Sequence, residues 1–127
     1  MPDKVVDASV IAALAFEESR ADEAEDLLRN ATLLAPEILP IELTSVALKK
    51  IRALPSARFN IESRLRAALS LEVELIRIAP LEVLELALDT GLSIYDAAYL
   101  HTARRLECPL VTFDAKLARH ARQITRA

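Results

Sequence analysis

The stretch "GLSIYDAAYLHTARRLECPLVTFD", residues 91–114, decides the fold. It reads as a helix over 93–107 that passes, after a proline boundary, into a short aliphatic strand at 109–113 and ends on an aspartate. A helix delivered straight into a strand is half of the repeating unit of a parallel α/β sheet. One residue disturbs this reading. Asp96 stands just before a run of small apolar residues, where a buried helix ordinarily places only its core.

The same alternation extends outward from this stretch. Residues 4–7 (KVVD), 32–35 (TLLA) and 73–79 (VELIRIA) predict three further strands. Helical periodicity covers 9–17, 21–31, 37–54 and 57–71, with further helices expected at 80–91 and 115–123. Pro40 predicts a kink or restart inside 37–54, because proline lacks the amide hydrogen, and Gly91 predicts a helix stop. A last edge strand is expected at 124–126. No internal repeat or linker interrupts 1–127, so one α/β domain with a mostly parallel sheet is expected, in keeping with roughly 100–200 residues per domain.

Composition narrows the function. Hydrophobic residues make up 53% of the chain and charged residues 28%, the balance of a soluble globular domain. No apolar run approaches the roughly 18 residues of a membrane span, and the first residues lack the basic region of a signal peptide, so a cytoplasmic protein is expected. The net charge of −3 is the wrong sign for a broad basic face that grips nucleic acid. A phosphate-bearing substrate must therefore be held locally. Gly91 is the sole glycine, which leaves no room for a P-loop or a dinucleotide fingerprint, since each needs several. The single cysteine, Cys108, excludes an internal disulfide or a multi-thiolate zinc site and reads as a small buried apolar residue.

Four acids then take positions. Asp7 and Asp114 each follow a strand and precede a helix, which places both at strand carboxyl ends, the edge where open parallel sheets bind ligands. Asp96 opens its helix three residues after Ser93, and Glu42 lies in the helix that follows Pro36. Singly, each has a structural alternative: N-capping for Asp7 and Asp114, a capping box with Ser93 for Asp96, and a solvated face shared with Ser45 and Lys49 for Glu42. Together, four hard oxygen donors with no histidine or cysteine beside them suit Mg2+ or Mn2+, which bind through a few carboxylates plus substrate phosphate. That predicts phosphodiester chemistry. Glu37 reads as a first-turn acid favoured by the helix dipole. His101, five residues from Asp96, is not expected at the site. Tyr95 and Tyr99, four apart, are expected to share a packing face or a dimer interface. Lys49, Lys50, Arg52, Arg104 and Arg105 read as solvated helix faces, with phosphate contact the alternative.

In "VVDASVIAAL" with Asp7, "APEILPIELTSVALKK" with Glu42 and the stretch quoted first with Asp96 and Asp114, nearly the whole chain resembles the PIN domains. Among these it is similar to the VapC-type ribonucleases, the toxin halves of prokaryotic toxin-antitoxin pairs. The combination of "YDAAYL" and "LVTFD" at this distance is the most specific feature. The resemblance implies a three-layer α/β/α sandwich with strand order 3-2-1-4-5, and a metal site formed by Asp7, Glu42, Asp96 and Asp114 with the hydroxyls of Ser9 and Thr112 beside it. It implies Mg2+- or Mn2+-assisted hydrolysis of RNA, a homodimer, and a cognate antitoxin whose C-terminal segment fills the acidic groove. Two departures bear on metal stoichiometry. Many members carry another acid just after the position of Asp114, where this chain has Lys116, and Thr44 and Ser45 occupy the region of a frequent asparagine. Which of Asp96 and Glu42 takes the proton of the attacking water is open. The alternatives on this fold are an inactive RNA or protein interaction module, a DNA nuclease and a housekeeping RNA-processing enzyme.

Overall fold

Val5 and Val6 are wholly enclosed, and the strand that carries them is the centre of the sheet. In the computed structural model, which describes residues 1–122, the strands are β1 (Asp3–Val6), β2 (Thr32–Pro36), β3 (Val73–Ile76) and β4 (Leu110–Val111). All neighbours pair in parallel, in the order β3-β2-β1-β4. This agrees with the expected order through its first four places, and the edge strand expected at 124–126 lies outside the described residues. Val5 stands in register with Leu34 on one side and Leu110 on the other. A strand covered on both faces needs a continuous aliphatic run rather than alternation, which is what "VV" supplies.

The chain moves outward from β1 to β2 and β3, then returns to place β4 on the far side of β1. Right-handed crossovers running in opposite directions put their helices on opposite faces of the sheet, which gives three layers. One group comprises α1 (Ala8–Ala15), α2 (Ala21–Leu28), α3 (Leu39–Ala53), a 3-10 turn (Pro55–Ala57) and α4 (Arg58–Leu69), with α1 packed on the other three helices. The other comprises α5 (Pro80–Thr90), α6 (Ile94–Leu106) and α7 (Ala115–Arg122), with α6 lying on β1 and β2. Ala97, Ala98 and Ala103 of α6 are fully enclosed. Their small side chains let the helix close on the strands. The apolar run after Asp96 is thus the core itself.

Element ends follow local chemistry. Pro40 falls in the first turn of α3, where its missing amide would be unbonded in any case, so the helix starts at Leu39 and does not kink. Gly91 caps α5 at φ 75°, a left-handed conformation that costs other residues roughly 1–2 kcal/mol. β4 is shorter than the expected 109–113 because the residues after Val111 leave the ladder: the amides of Phe113 and Asp114 donate to the hydroxyls of Ser9 and Thr112. Cys108 is buried, which pushes its thiol up. Among the described residues no helix is long and apolar enough to cross a membrane.

Candidate active site

The reversal of strand order between β1 and β4 opens a crevice beyond their carboxyl ends, the place where open α/β sheets take ligands. Asp7 is the first residue past β1 and is almost fully buried. It stands at the N-cap of α1 but makes no side-chain capping bond. Instead, its Oδ2 accepts hydrogen bonds from Ser9 Oγ at 2.7 Å and Thr112 Oγ1 at 2.8 Å. Ser9 Oγ accepts in turn from the Phe113 amide at 3.1 Å, and Thr112 Oγ1 from the Asp114 amide at 3.0 Å. Two hydroxyls therefore join the ends of β1 and β4 through a single carboxylate oxygen.

The other three acids enter from separate elements. Asp114 does cap its helix, since its Oδ1 accepts from the Leu117 amide at 2.8 Å, so the capping alternative holds there and fails for Asp7. Asp96 forms half a capping box: its amide donates to Ser93 Oγ at 3.1 Å, while no bond from the Ser93 amide to the Asp96 carboxylate is made among the described residues. Burial, and then the charges of Asp7 and Asp114, push the Asp96 carboxyl up. Glu42 is not on a solvated face. With α3 starting at Leu39, the buried stripe is Leu39, Leu43 and Ala47, and Glu42 flanks it with Oε1 fully enclosed and without a hydrogen-bond partner. Burial raises its carboxyl to about 7, and the charges of Asp7 and Asp96 add to this while Tyr99 opposes it.

The charges of Asp7 and Asp96 act on Glu42, and those of Asp7 and Asp114 on Asp96, so the four carboxylates lie around one crevice. Among the described residues, no three Asp, Glu, His or Cys side chains are gathered tightly enough to hold one ion between them. Like charges at this range keep each other apart, and a cation removes that repulsion. The donor set fits a hard divalent ion, being oxygen only and drawn from carboxylates whose mutual charge a cation would offset.

Two residues here escape sequence reasoning. Tyr95 and Tyr99 do not share a role: Tyr95 is exposed in the first turn of α6, whereas Tyr99 is wholly enclosed. Its hydroxyl lies against Glu42 and Asp7, and burial followed by the Glu42 charge pushes its ionisation far up. The available signal was its spacing of three residues from Asp96, which puts both on one helix face. Lys116, in the first turn of α7, donates from Nζ to the Gly91 carbonyl at 2.9 Å. Its charge opposes the rise at Asp96. A cation at a helix N-terminus goes against the dipole, and that misplacement was its signal.

The remaining polar residues have structural partners or face solvent. His101 Nε2 pairs with Glu82 Oε1 of α5 at 3.2 Å, and Glu37 Oε1 accepts from the Ile78 amide at 3.5 Å. Lys50 pairs with Glu18 at 2.7 Å, while Lys49, Arg52, Arg104 and Arg105 are exposed. Arg20, from the α1–α2 connection, lies over the Phe113 ring at 3.7 Å, next to Asp114.

The comparisons with known proteins bear on the family and the fold. The family model described as the PIN domain matches residues 4–123. No curated protein is matched. Among solved structures the chain is similar to the crystal structure of PAE2754 from Pyrobaculum aerophilum, with a TM-score of 0.74 and 24% identity over 99% of this chain and 91% of that one. At that identity the likeness speaks for the fold. PIN domains are generally nucleases, and they usually use divalent metals. With the match spanning almost the whole sequence, the chain belongs to the PIN domain family.

Proposed function

We propose that this chain is an endoribonuclease dependent on Mg2+ or Mn2+, and that it is the toxin of a toxin-antitoxin pair, working in the cytoplasm as a homodimer restrained by a cognate antitoxin. The observation that carries the nuclease reading is the convergence of Asp7, Glu42, Asp96 and Asp114 on one crevice, with Glu42 and Asp96 raised by burial and by the neighbouring charges. Such a cluster destabilises the fold and serves no packing need. The toxin reading is supported by the VapC-like stretches at 5–14, 35–50 and 91–114. A homodimer is supported by the exposed row Leu81, Leu84 and Leu88 on α5, an apolar stripe at helical spacing.

A divalent ion in the crevice would acidify a water for in-line attack and neutralise charge on the phosphoryl oxygens. The chain does the rest. Ser9 and Thr112 fix Asp7, and the Leu117 amide fixes Asp114. Asp96 and Glu42 are the carboxylates whose surroundings make them most basic, and so the two suited to accept a proton. Lys116 places positive charge at the rim of an otherwise acidic crevice, where a phosphate backbone must approach, whereas Arg20 is already paired with Glu23.

The test is cleavage of single-stranded or loop-containing RNA by the purified protein in Mn2+ or Mg2+. Activity should stop with EDTA and be lost in Asp7→Asn and Asp96→Asn, while His101→Ala stays active. Full cleavage in EDTA, or in both aspartate variants, refutes the assignment. RNA binding without cleavage in either metal would instead identify an interaction module.

A further inference from the structure

Two side-chain polar atoms are buried without a hydrogen-bond partner among the described residues, Glu42 Oε1 and Tyr99 Oη. They are neighbours. Each perturbs the other's ionisation, yet the pair does not meet hydrogen-bond geometry. A buried hydroxyl with no partner costs free energy that a phenylalanine ring of the same shape would not. The ring cannot relieve this by turning to solvent, because Tyr99 is 0% exposed on a helix packed against β1 and β2.

The surroundings define what the hydroxyl can do. On its acceptor side lies the backbone of Ala8, the first residue of α1, and on its donor side lie the carboxylates of Glu42 and Asp7. Asp7 Oδ2 already accepts from two hydroxyls, whereas Glu42 Oε1 accepts from none. Glu42 Oε1 is thus the enclosed acceptor left without a donor, and the neighbouring Tyr99 O–H is the enclosed donor left without an acceptor. We propose that Tyr99 is the positioning residue of Glu42: when the carboxylates close on a divalent cation, its hydroxyl donates to one Glu42 oxygen and leaves the other turned toward the ion. This rests on the nuclease reading, since it requires Glu42 to be a ligand. Outer hydrogen bonds of this kind orient metal-ligating carboxylates, and losing one typically lowers metal affinity or activity about 10- to 100-fold.

The experiment is a double-mutant cycle of Tyr99→Phe and Glu42→Gln on the full chain, read by Mn2+ titration calorimetry and by the kcat and KM of RNA cleavage. Tyr99→Phe keeps the ring, so its melting temperature in EDTA should equal or exceed that of wild type. Its Mn2+ affinity should fall about tenfold or more, kcat should fall with KM unchanged, and the substitution should do nothing further in the Glu42→Gln background. Wild-type Mn2+ affinity in Tyr99→Phe overturns the proposal, as does an equal loss in both backgrounds. If Glu42→Gln alone leaves Mn2+ binding intact, the underlying assignment of Glu42 has failed, and that arm reports it separately. A measurement free of any change at residue 99 is also available, because the chain has two tyrosines and no tryptophan. With the exposed Tyr95 replaced by Phe, the near-ultraviolet tyrosine band belongs to Tyr99 alone. Saturating Mg2+ should shift it to the red as the hydroxyl becomes a donor, and an unmoved band overturns the proposal.

Discussion

Replacing Glu42 by glutamine should stabilise the metal-free protein at neutral pH and reduce the stability that the protein gains from metal. The sign follows from the direction of the shift. The folded protein holds the Glu42 proton up to about pH 7, whereas the ordinary carboxyl value is 4.5, so between these values unfolding releases a proton. Stability contributed by the protonated form is therefore full below about pH 4 and is lost progressively as pH rises to about 8. Each tenfold change in proton affinity corresponds to about 1.4 kcal/mol, which sets a ceiling of about 3 kcal/mol for this displacement. Glu42 is only partly buried, and solvent screening cuts the effect to about 1–2 kcal/mol. For a chain of this length that is a rise in melting temperature of about 4–7 °C. The assay is a set of thermal melts of wild type and Glu42→Gln in EDTA at pH 4 and pH 8, repeated at pH 8 with Mn2+. The variant should match wild type at pH 4, exceed it at pH 8, and gain less from Mn2+, where wild type gains about 1.4 kcal/mol at ten times the dissociation constant. A variant that melts lower than wild type in EDTA at pH 8 would show that Glu42 is a stabilising structural acid, and the reasoning would be wrong.

Thr112→Ala removes a donor from Asp7 and the acceptor of the Asp114 amide, and should cost about 1–3 kcal/mol in urea unfolding, with Thr112→Ser restoring most of it. Unchanged stability in the alanine variant would mean that the hydroxyl relay is incidental. Lys116→Ala removes a cation from the crevice rim and should tighten Mn2+ binding in calorimetry by up to about fivefold, the ceiling for an exposed charge pair. Weaker binding in that variant would show that Lys116 organises the acids rather than competing with the ion.

The inner strands were legible because a parallel strand covered on both faces leaves a short aliphatic run, as in "VV" and "LLA", while the edge strand "VELI" was legible from its aliphatic residues between helical stretches. Pro80 and Gly91 marked both ends of α5 for steric reasons that need no tertiary context. The facing of Glu42 was not legible, because the phase of a helix relative to the core depends on where it begins, and Pro40 permitted either a kink or a start. Tyr99 was hidden for a different reason. In a run of Ala, Tyr and Leu an aromatic ring is indistinguishable from core filling, and only the packing of α6 against β1 shows that its hydroxyl points at the acids. β4 fell short of its predicted length because residues 112–114 spend their polar groups on the crevice instead of on the ladder.

The clasp on Asp7 has a consequence for how the chain is born. Asp7, Glu42 and Asp96 have all been synthesised before Leu110 and Val111 exist to pair with β1, and before Thr112 and Phe113 exist to engage Asp7 and Ser9. A nascent chain paused between residues 97 and 109 carries three of the four acids but lacks the strand and the hydroxyl that hold the first of them in place. The crevice edge is therefore completed late in synthesis, when residues 110–113 close on a strand made more than a hundred residues before them.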